Sequence, residues 1–149
     1  KSETSMMVQN LDFAETLQGI PYKFGSCDKK QGFDCSGFIW YVFNHFNIKV
    51  PRSSVEFTNA GKEVKPENSR RGDIILFTGS DQTSGVVGHM GIITKSSKKA
   101  FQFILEGFFI FYDLHFSIHQ KITENSSHTD PPAGGEAIFS GFISFTGQQ

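Results

Sequence analysis

The sequence predicts an α+β domain, with helices in its first half and an antiparallel sheet in its second. Three observations lead there. Apolar residues recur at helical spacing over residues 5–18 and 34–46. From residue 73 onward the apolar runs are short, rich in β-branched and aromatic residues, and separated by Gly, Ser and Pro. No repeat or linker interrupts the 149 residues, so residues 1–149 read as a single domain, one that buries about two-thirds of its unfolded surface. Helices followed by strands, without alternation, give the α+β class.

The elements follow in order. Over residues 5–18, Met7, Leu11, Ala14 and Gln18 share one helical face, with Val8 and Leu17 at its edge, and Gly19 and Pro21 stop the helix. In the second helix, residues 34–46, Phe38, Val42 and Phe46 lie on one face with Ile39 and Phe43 beside them. Ser53-Ser54-Val55-Glu56 fits a capping box, which predicts a short helix running to residue 60 and ending at Gly61. Strands are expected at residues 73–77, 89–94, 100–105, 108–112, 114–118 and 137–145. Residues 78–88 form a polar loop, and residues 124–135 another, centred on Pro131-Pro132. A period of two along residues 89–94 sets His89, Gly91 and Ile93 opposite Met90, Ile92 and Thr94.

Composition excludes several function classes. Fourteen basic and fifteen acidic residues give a net charge of −1, so the chain has no general attraction for nucleic acid. Lys29-Lys30, Arg70-Arg71 and Lys98-Lys99 read as solvated loop charges. No apolar run is long enough to span a bilayer, and Glu106 and Asp113 bracket the richest one, at residues 108–112. No clustered ligand motif points to a metal. The chain begins with Lys1 and no signal peptide is visible, which fits a mature product and a trimmed stretch equally.

The chemistry lies in Asp34-Cys35-Ser36-Gly37 together with His89. Cys35 opens an apolar helical run, and the amides and dipole of a helix N-terminus stabilise a thiolate. Asp34 stands where a capping residue belongs, and Gly37 permits close backbone approach in the first turn. His89 lies between Gly88 and Met90-Gly91 in a strand where an apolar residue would be ordinary. A thiol and a distant histidine make a nucleophile–base pair. Cys27 reads as a free loop thiol, because a disulfide between the two cysteines would leave the nucleophile inert.

Five segments in order carry a resemblance: Gly19-Ile20-Pro21-Tyr22-Lys23-Phe24-Gly25, Gly32-Phe33-Asp34-Cys35-Ser36-Gly37-Phe38, Val50-Pro51-Arg52-Ser53-Ser54, Arg71-Gly72-Asp73-Ile74-Ile75-Leu76-Phe77 and Val87-Gly88-His89-Met90-Gly91-Ile92. The chain here resembles the NlpC family of bacterial cell-wall cysteine peptidases, which have a papain-like core. The likeness is strong over residues 19–105 and weak over 106–149.

That resemblance implies hydrolysis of peptidoglycan stem peptides or muropeptides, between γ-D-glutamyl and diaminopimelate or lysine, without metal or organic cofactor, in the bacterial cell envelope, whether periplasmic, lipid-anchored or secreted. Cys35 would be the nucleophile and His89 its acid–base partner. Tyr22 would face the active site and donate to the oxyanion or substrate; a packing role suits its ring as well. Asp34 and Ser36 would bind a free peptide amine or polar stem-peptide groups, though helix capping uses the same Asp34 carboxylate. Arg52 would hold a substrate carboxylate in a bidentate pair or serve in a structural ion pair, the reading favoured here. The family also places a polar residue, often His, on the strand after His89 to orient the imidazole. Leu105 occupies that position here. His119 is the first substitute, Glu106 the second and His115 the last. Two rival readings follow: a non-catalytic wall-binding domain that lacks the third residue, and a Cys-His acyltransferase. The order Cys then His favours a peptidase over the permuted lipid acyltransferases.

Overall fold

The computed structural model describes residues 9, 11–78, 83–96, 100–105, 108–113 and 139–145, and its described part begins in a helix that holds through residue 15. Leu11 and Ala14 are fully buried as the spacing predicts, but Leu17 is buried too and Gln18 is exposed. The cause is a change of helical pitch. Leu17 N–H donates to Ala14 O (3.1 Å), Gln18 N–H to Glu15 O (3.4 Å) and Ile20 N–H to Leu17 O (3.4 Å), all three residues back. Three residues per turn align Ala14 with Leu17, where an α-helix would have aligned Ala14 with Gln18.

Two short strands precede the second helix: β1 (Cys27–Asp28) and β2 (Gly32–Phe33) pair antiparallel, Cys27 opposite Phe33 and Asp28 opposite Gly32. This hairpin is absent from the sequence reading, since two-residue strands leave no alternation to detect. Helix α1 (Cys35–His45) follows at once, one residue shorter at each end than expected. Asp34 caps it with extended backbone (φ −83°, ψ 175°), and Gly37 N–H donates to its Oδ1. Phe38, Ile39, Val42 and Phe43 are its buried stripe, while Phe46, outside the helix, is half-buried.

The expected helix at 53–60 is a 3-10 helix, Val55–Asn59. Half of the capping box forms: Ser53 N–H donates to Glu56 Oε2 (3.1 Å), but the Ser53 hydroxyl also donates to that oxygen (2.6 Å) and leaves the helix uncapped. Phe57, fully buried, ties this turn to the core.

Six of the described strands make one antiparallel sheet in the order β3-β8-β4-β5-β6-β7. They are β3 (Lys62–Val64), β4 (Ile74–Thr78), β5 (Val87–Ser96), β6 (Ala100–Leu105), β7 (Phe108–Asp113) and β8 (Phe139–Ser144). β3 was not foreseen, because Lys62-Glu63 is exposed and polar. β4 and β5 exceed their predicted bounds, taking Thr78, Val87 and Gly88 from the expected loop. The expected strand at 114–118, the loop at 124–135, and Glu106, His115 and His119 lie outside the described residues.

The sheet and α1 share one core. Ile74, Leu76, Met90, Ile92 and Ile143 pack with Leu11, Leu17, Phe38, Ile39, Val42, Phe43 and Phe57. Ile75, Phe77, Ile93 and Phe142, on the alternate pleat, are also buried. Helices over an antiparallel sheet make the domain α+β, as predicted.

Candidate active site

The turn before α1 is held from three directions. Phe33 N–H donates to Pro21 O (3.1 Å) and Lys23 N–H to Phe33 O (3.0 Å), which clasps Tyr22 alongside Phe33 in a parallel bridge. Asp34 N–H donates to Ser26 O (3.0 Å), fastening the hairpin to the helix start. Gly37 completes the fit: a Cβ there would overlap the Ser26 carbonyl oxygen and lie 2.7 Å from Asp34 Oδ1. The Gly after Asp34-Cys35-Ser36 is therefore required by packing against the hairpin.

Cys35 is thus the first residue of α1, buried at 8% exposure. Its thiol meets β5, where Sγ lies 3.9 Å from the carbonyl oxygen of Gly88, to which the S–H donates. Gly88 immediately precedes His89. The ladder between β4 and β5 is irregular at this level: Phe77 pairs with His89 and Thr78 with Val87, leaving Gly88 as an extra residue. The bulge explains how Val87 and Met90, three apart, both enter the same core, which strict alternation forbids.

His89 packs against Phe77, ring centroids 6.3 Å apart and tilted by 41°. Part of its surface stays exposed, yet the protein packed around the ring pushes its pKa down to about 4. The imidazole is therefore neutral near pH 7.

Asp34, Ser36 and Arg52 form one cluster at the start of α1. Arg52 Nη1 donates to Asp34 Oδ1 and Nη2 to Asp34 Oδ2, both at 3.1 Å, the two-pronged geometry that guanidinium and carboxylate share. Arg52 Nη1 also donates to Ser36 Oγ (3.1 Å), and Ser36 Oγ donates to Asp34 Oδ1 (3.3 Å). Asp34 beside it pushes the Arg52 pKa further up, with Cys27 a lesser contributor. Sequence reasoning found the members of this cluster without pairing them, and it missed Cys27's position beside Arg52. The register of Cys27 with Phe33 creates that position, and no pattern in the chain announces it.

Asp73 is buried and shapes the turn before β4: its Oδ2 accepts from Arg70 N–H (2.8 Å), and burial pushes its pKa up. Leu105 ends β6, one residue past Ile104, which pairs with Ile92. Among the described residues, no three His, Cys, Asp or Glu side chains are grouped to hold a metal ion, and no helix is long and apolar enough to cross a membrane.

Comparison with known proteins bears on the family and the fold. The model of the NlpC/P60 family matches residues 19–130, extending past Leu105 where the sequence motifs fade. A gamma-DL-glutamyl hydrolase of Bacillus subtilis (strain 168) is 39% identical over 80 residues, 53% of this chain and 19% of the hydrolase. A probable endopeptidase of Haemophilus influenzae is 41% identical over 81 residues, 54% of this chain and 48% of the endopeptidase. The chain thus spans about half or less of these relatives' lengths. The crystal structure of an NlpC/P60 family protein from Bacillus cereus has a TM-score of 0.63 and 22% identity, covering 94% of this chain and 40% of that one. At that identity the likeness concerns the fold.

Proposed function

The chain belongs to the NlpC/P60 family, and on that premise we propose that it is a cysteine peptidase acting on peptidoglycan stem peptides in the cell envelope, with residues 1–149 as one peptidase domain. The bond proposed is that between γ-D-glutamyl and a diamino acid. The gamma-glutamyl and endopeptidase names of its relatives support this choice. The observation that carries the reading is Cys35 at the start of α1 with its sulfur against the carbonyl of Gly88, next to His89.

The steps follow from these groups. Neutral His89 takes the Cys35 proton, and the thiolate attacks the scissile carbonyl. Backbone N–H groups at the start of α1 donate to the developing oxyanion, where charge appears only as the transition state is reached. The C–N bond breaks, and the imidazolium proton passes to the leaving amine. Water, deprotonated by His89, then hydrolyses the thioester, releasing the acid and restoring the thiol. Tyr22 stands beside Phe33, two residues before the nucleophile, in a position suited to the oxyanion or substrate. Asp34, Ser36 and Arg52 hold the helix start, and of the three Arg52 keeps the most exposure for a contact with the stem peptide.

One observation favours a second reading. Leu105 offers no polar atom where the family orients its imidazole, which is what a wall-binding domain without turnover would show. His119, or Glu106, restores the third role in the peptidase reading. Thiol reactivity tests the pair. Iodoacetamide near neutral pH should label Cys35 faster than Cys27, and His89→Ala should abolish that preference. Equal labelling in the unmutated chain would contradict an activated nucleophile.

A further inference from the structure

Beside the hairpin, on the flank of α1 that turns away from the sheet, lies an open cleft of about 550 Å³. Its lining includes Lys29 and Lys30 from the hairpin and Trp40, Tyr41, Asn44 and His45 from α1. The volume is in the range that holds a small ligand. Trp40 begins about 7.5 Å along the helix axis from Cys35, at 1.5 Å per residue. Cys27 lines this cleft and also neighbours Arg52, which grips Asp34 at the helix start, so the cleft and the candidate active site share the hairpin as a border.

The floor of this cleft is fixed. Tyr41 packs on Phe33 (ring centroids 5.0 Å) and stacks with Phe13 (6.0 Å), and His45 stacks on Phe13 at 3.8 Å and 9°. Trp40 is half-buried and lines the cleft from the next position along the helix. A large, partly exposed ring carried on a helix offers a platform, and little ordering entropy is lost when something settles on it. The polar groups around it are amide and imidazole edges from Asn44 and His45. Lys29 and Lys30 add positive charge, and neither belongs to an ion pair among the described residues. The one carboxylate present, Asp28, is engaged within the hairpin by Lys30 N–H (2.9 Å) and Gln31 Nε2 (3.1 Å).

We infer that this cleft is a saccharide subsite that takes an N-acetylated hexosamine ring of a glycan strand, with Lys29 and Lys30 meeting carboxylates of the stem peptides attached to it. The apolar face of a hexose ring stacks on an indole, and its acetamido and hydroxyl groups need neutral donors and acceptors at the edge. Trp40, Asn44 and His45 supply both. This inference rests on the peptidase reading and makes the substrate glycan-linked stem peptide.

Trp40 is the only tryptophan in the chain, so its fluorescence reports the cleft directly. The Cys35→Ala chain, which cannot turn over, would be titrated with tetrameric N-acetylglucosamine, with a disaccharide–tetrapeptide, and with the tetrapeptide alone. A saturable shift or quench is expected with the first two and none with the third. In the unmutated background, Trp40→Ala should raise KM for the disaccharide–tetrapeptide three- to tenfold relative to the free tetrapeptide, on the order of one stacking contact. Trp40→Phe, which keeps a ring and guards against misfolding, should raise it less. Silence with both sugar probes, an equal response to the free tetrapeptide, or equal KM changes for the two substrates would overturn the inference. The titration needs no catalysis. A chain that cleaves neither peptide but answers the sugars refutes the peptidase reading and leaves the saccharide site standing.

Discussion

Arg52→Met removes the guanidinium that grips both oxygens of Asp34 while keeping the aliphatic stem, so it isolates the ion pair from its packing. Asp34 retains Gly37 N–H and the Ser36 hydroxyl but loses two hydrogen bonds of 3.1 Å. Breaking a fully buried pair costs about 3–5 kcal/mol, and an exposed one about 0–1 kcal/mol. Here the side chains are 12% exposed for Asp34 and 35% for Arg52, between those limits, which gives a loss of about 2 kcal/mol. For a domain of this size each kcal/mol moves Tm by about 2–4 °C, so the variant should melt about 4–8 °C lower. Arg52→Lys should recover less than half, because an ammonium cannot match the fork. Thermal melts followed by circular dichroism at pH 7 make the comparison. A Tm for Arg52→Met within about 1 °C of the unmutated chain would refute the idea that this pair fastens the helix start.

Two further outcomes test the site. Burial depresses the His89 pKa to about 4 from 6.5, so between these values the unfolded chain binds more protons than the folded one. Stability should therefore be full above pH 6.5 and decline as pH falls toward 4, by up to roughly 3 kcal/mol and less in proportion to the ring's exposure. Urea midpoints across this range should fall less steeply for His89→Gln; parallel curves would contradict the burial argument. For the third role, His119→Ala should slow cleavage strongly, by up to about 10⁴, with little change in substrate affinity. The same signature at Glu106→Gln instead would transfer the role to Glu106, and its absence at both would leave the imidazole without either partner.

What the sequence revealed follows from what periodicity can encode. α1 and β4–β6 carry strong local patterns, so their class and approximate bounds were legible, as was a thiol at a helix N-terminus. The hairpin of β1 and β2 and the polar strand β3 carry no such pattern. The capping-box pattern did not disclose that Val55–Asn59 is a 3-10 helix, with the Ser53 hydroxyl bonded to Glu56 instead of to a helix N–H. The Arg52–Asp34 pair joins residues 18 apart, and only the fold sets them together. Gly88 illustrates the same limit: a glycine in a strand suggests a bulge, but its meeting with the Cys35 thiol is a tertiary fact.

The central claim is that Cys35 and His89 hydrolyse a stem-peptide bond. Mass spectrometry of a disaccharide–tetrapeptide containing γ-D-glutamyl-diaminopimelate, incubated with the purified chain, tests it most directly. The account predicts two fragments that divide the peptide after γ-D-glutamyl, formed by the unmutated chain and by neither Cys35→Ala nor His89→Ala. Intact substrate after prolonged incubation, with binding retained, would contradict it and make the chain a wall-binding domain.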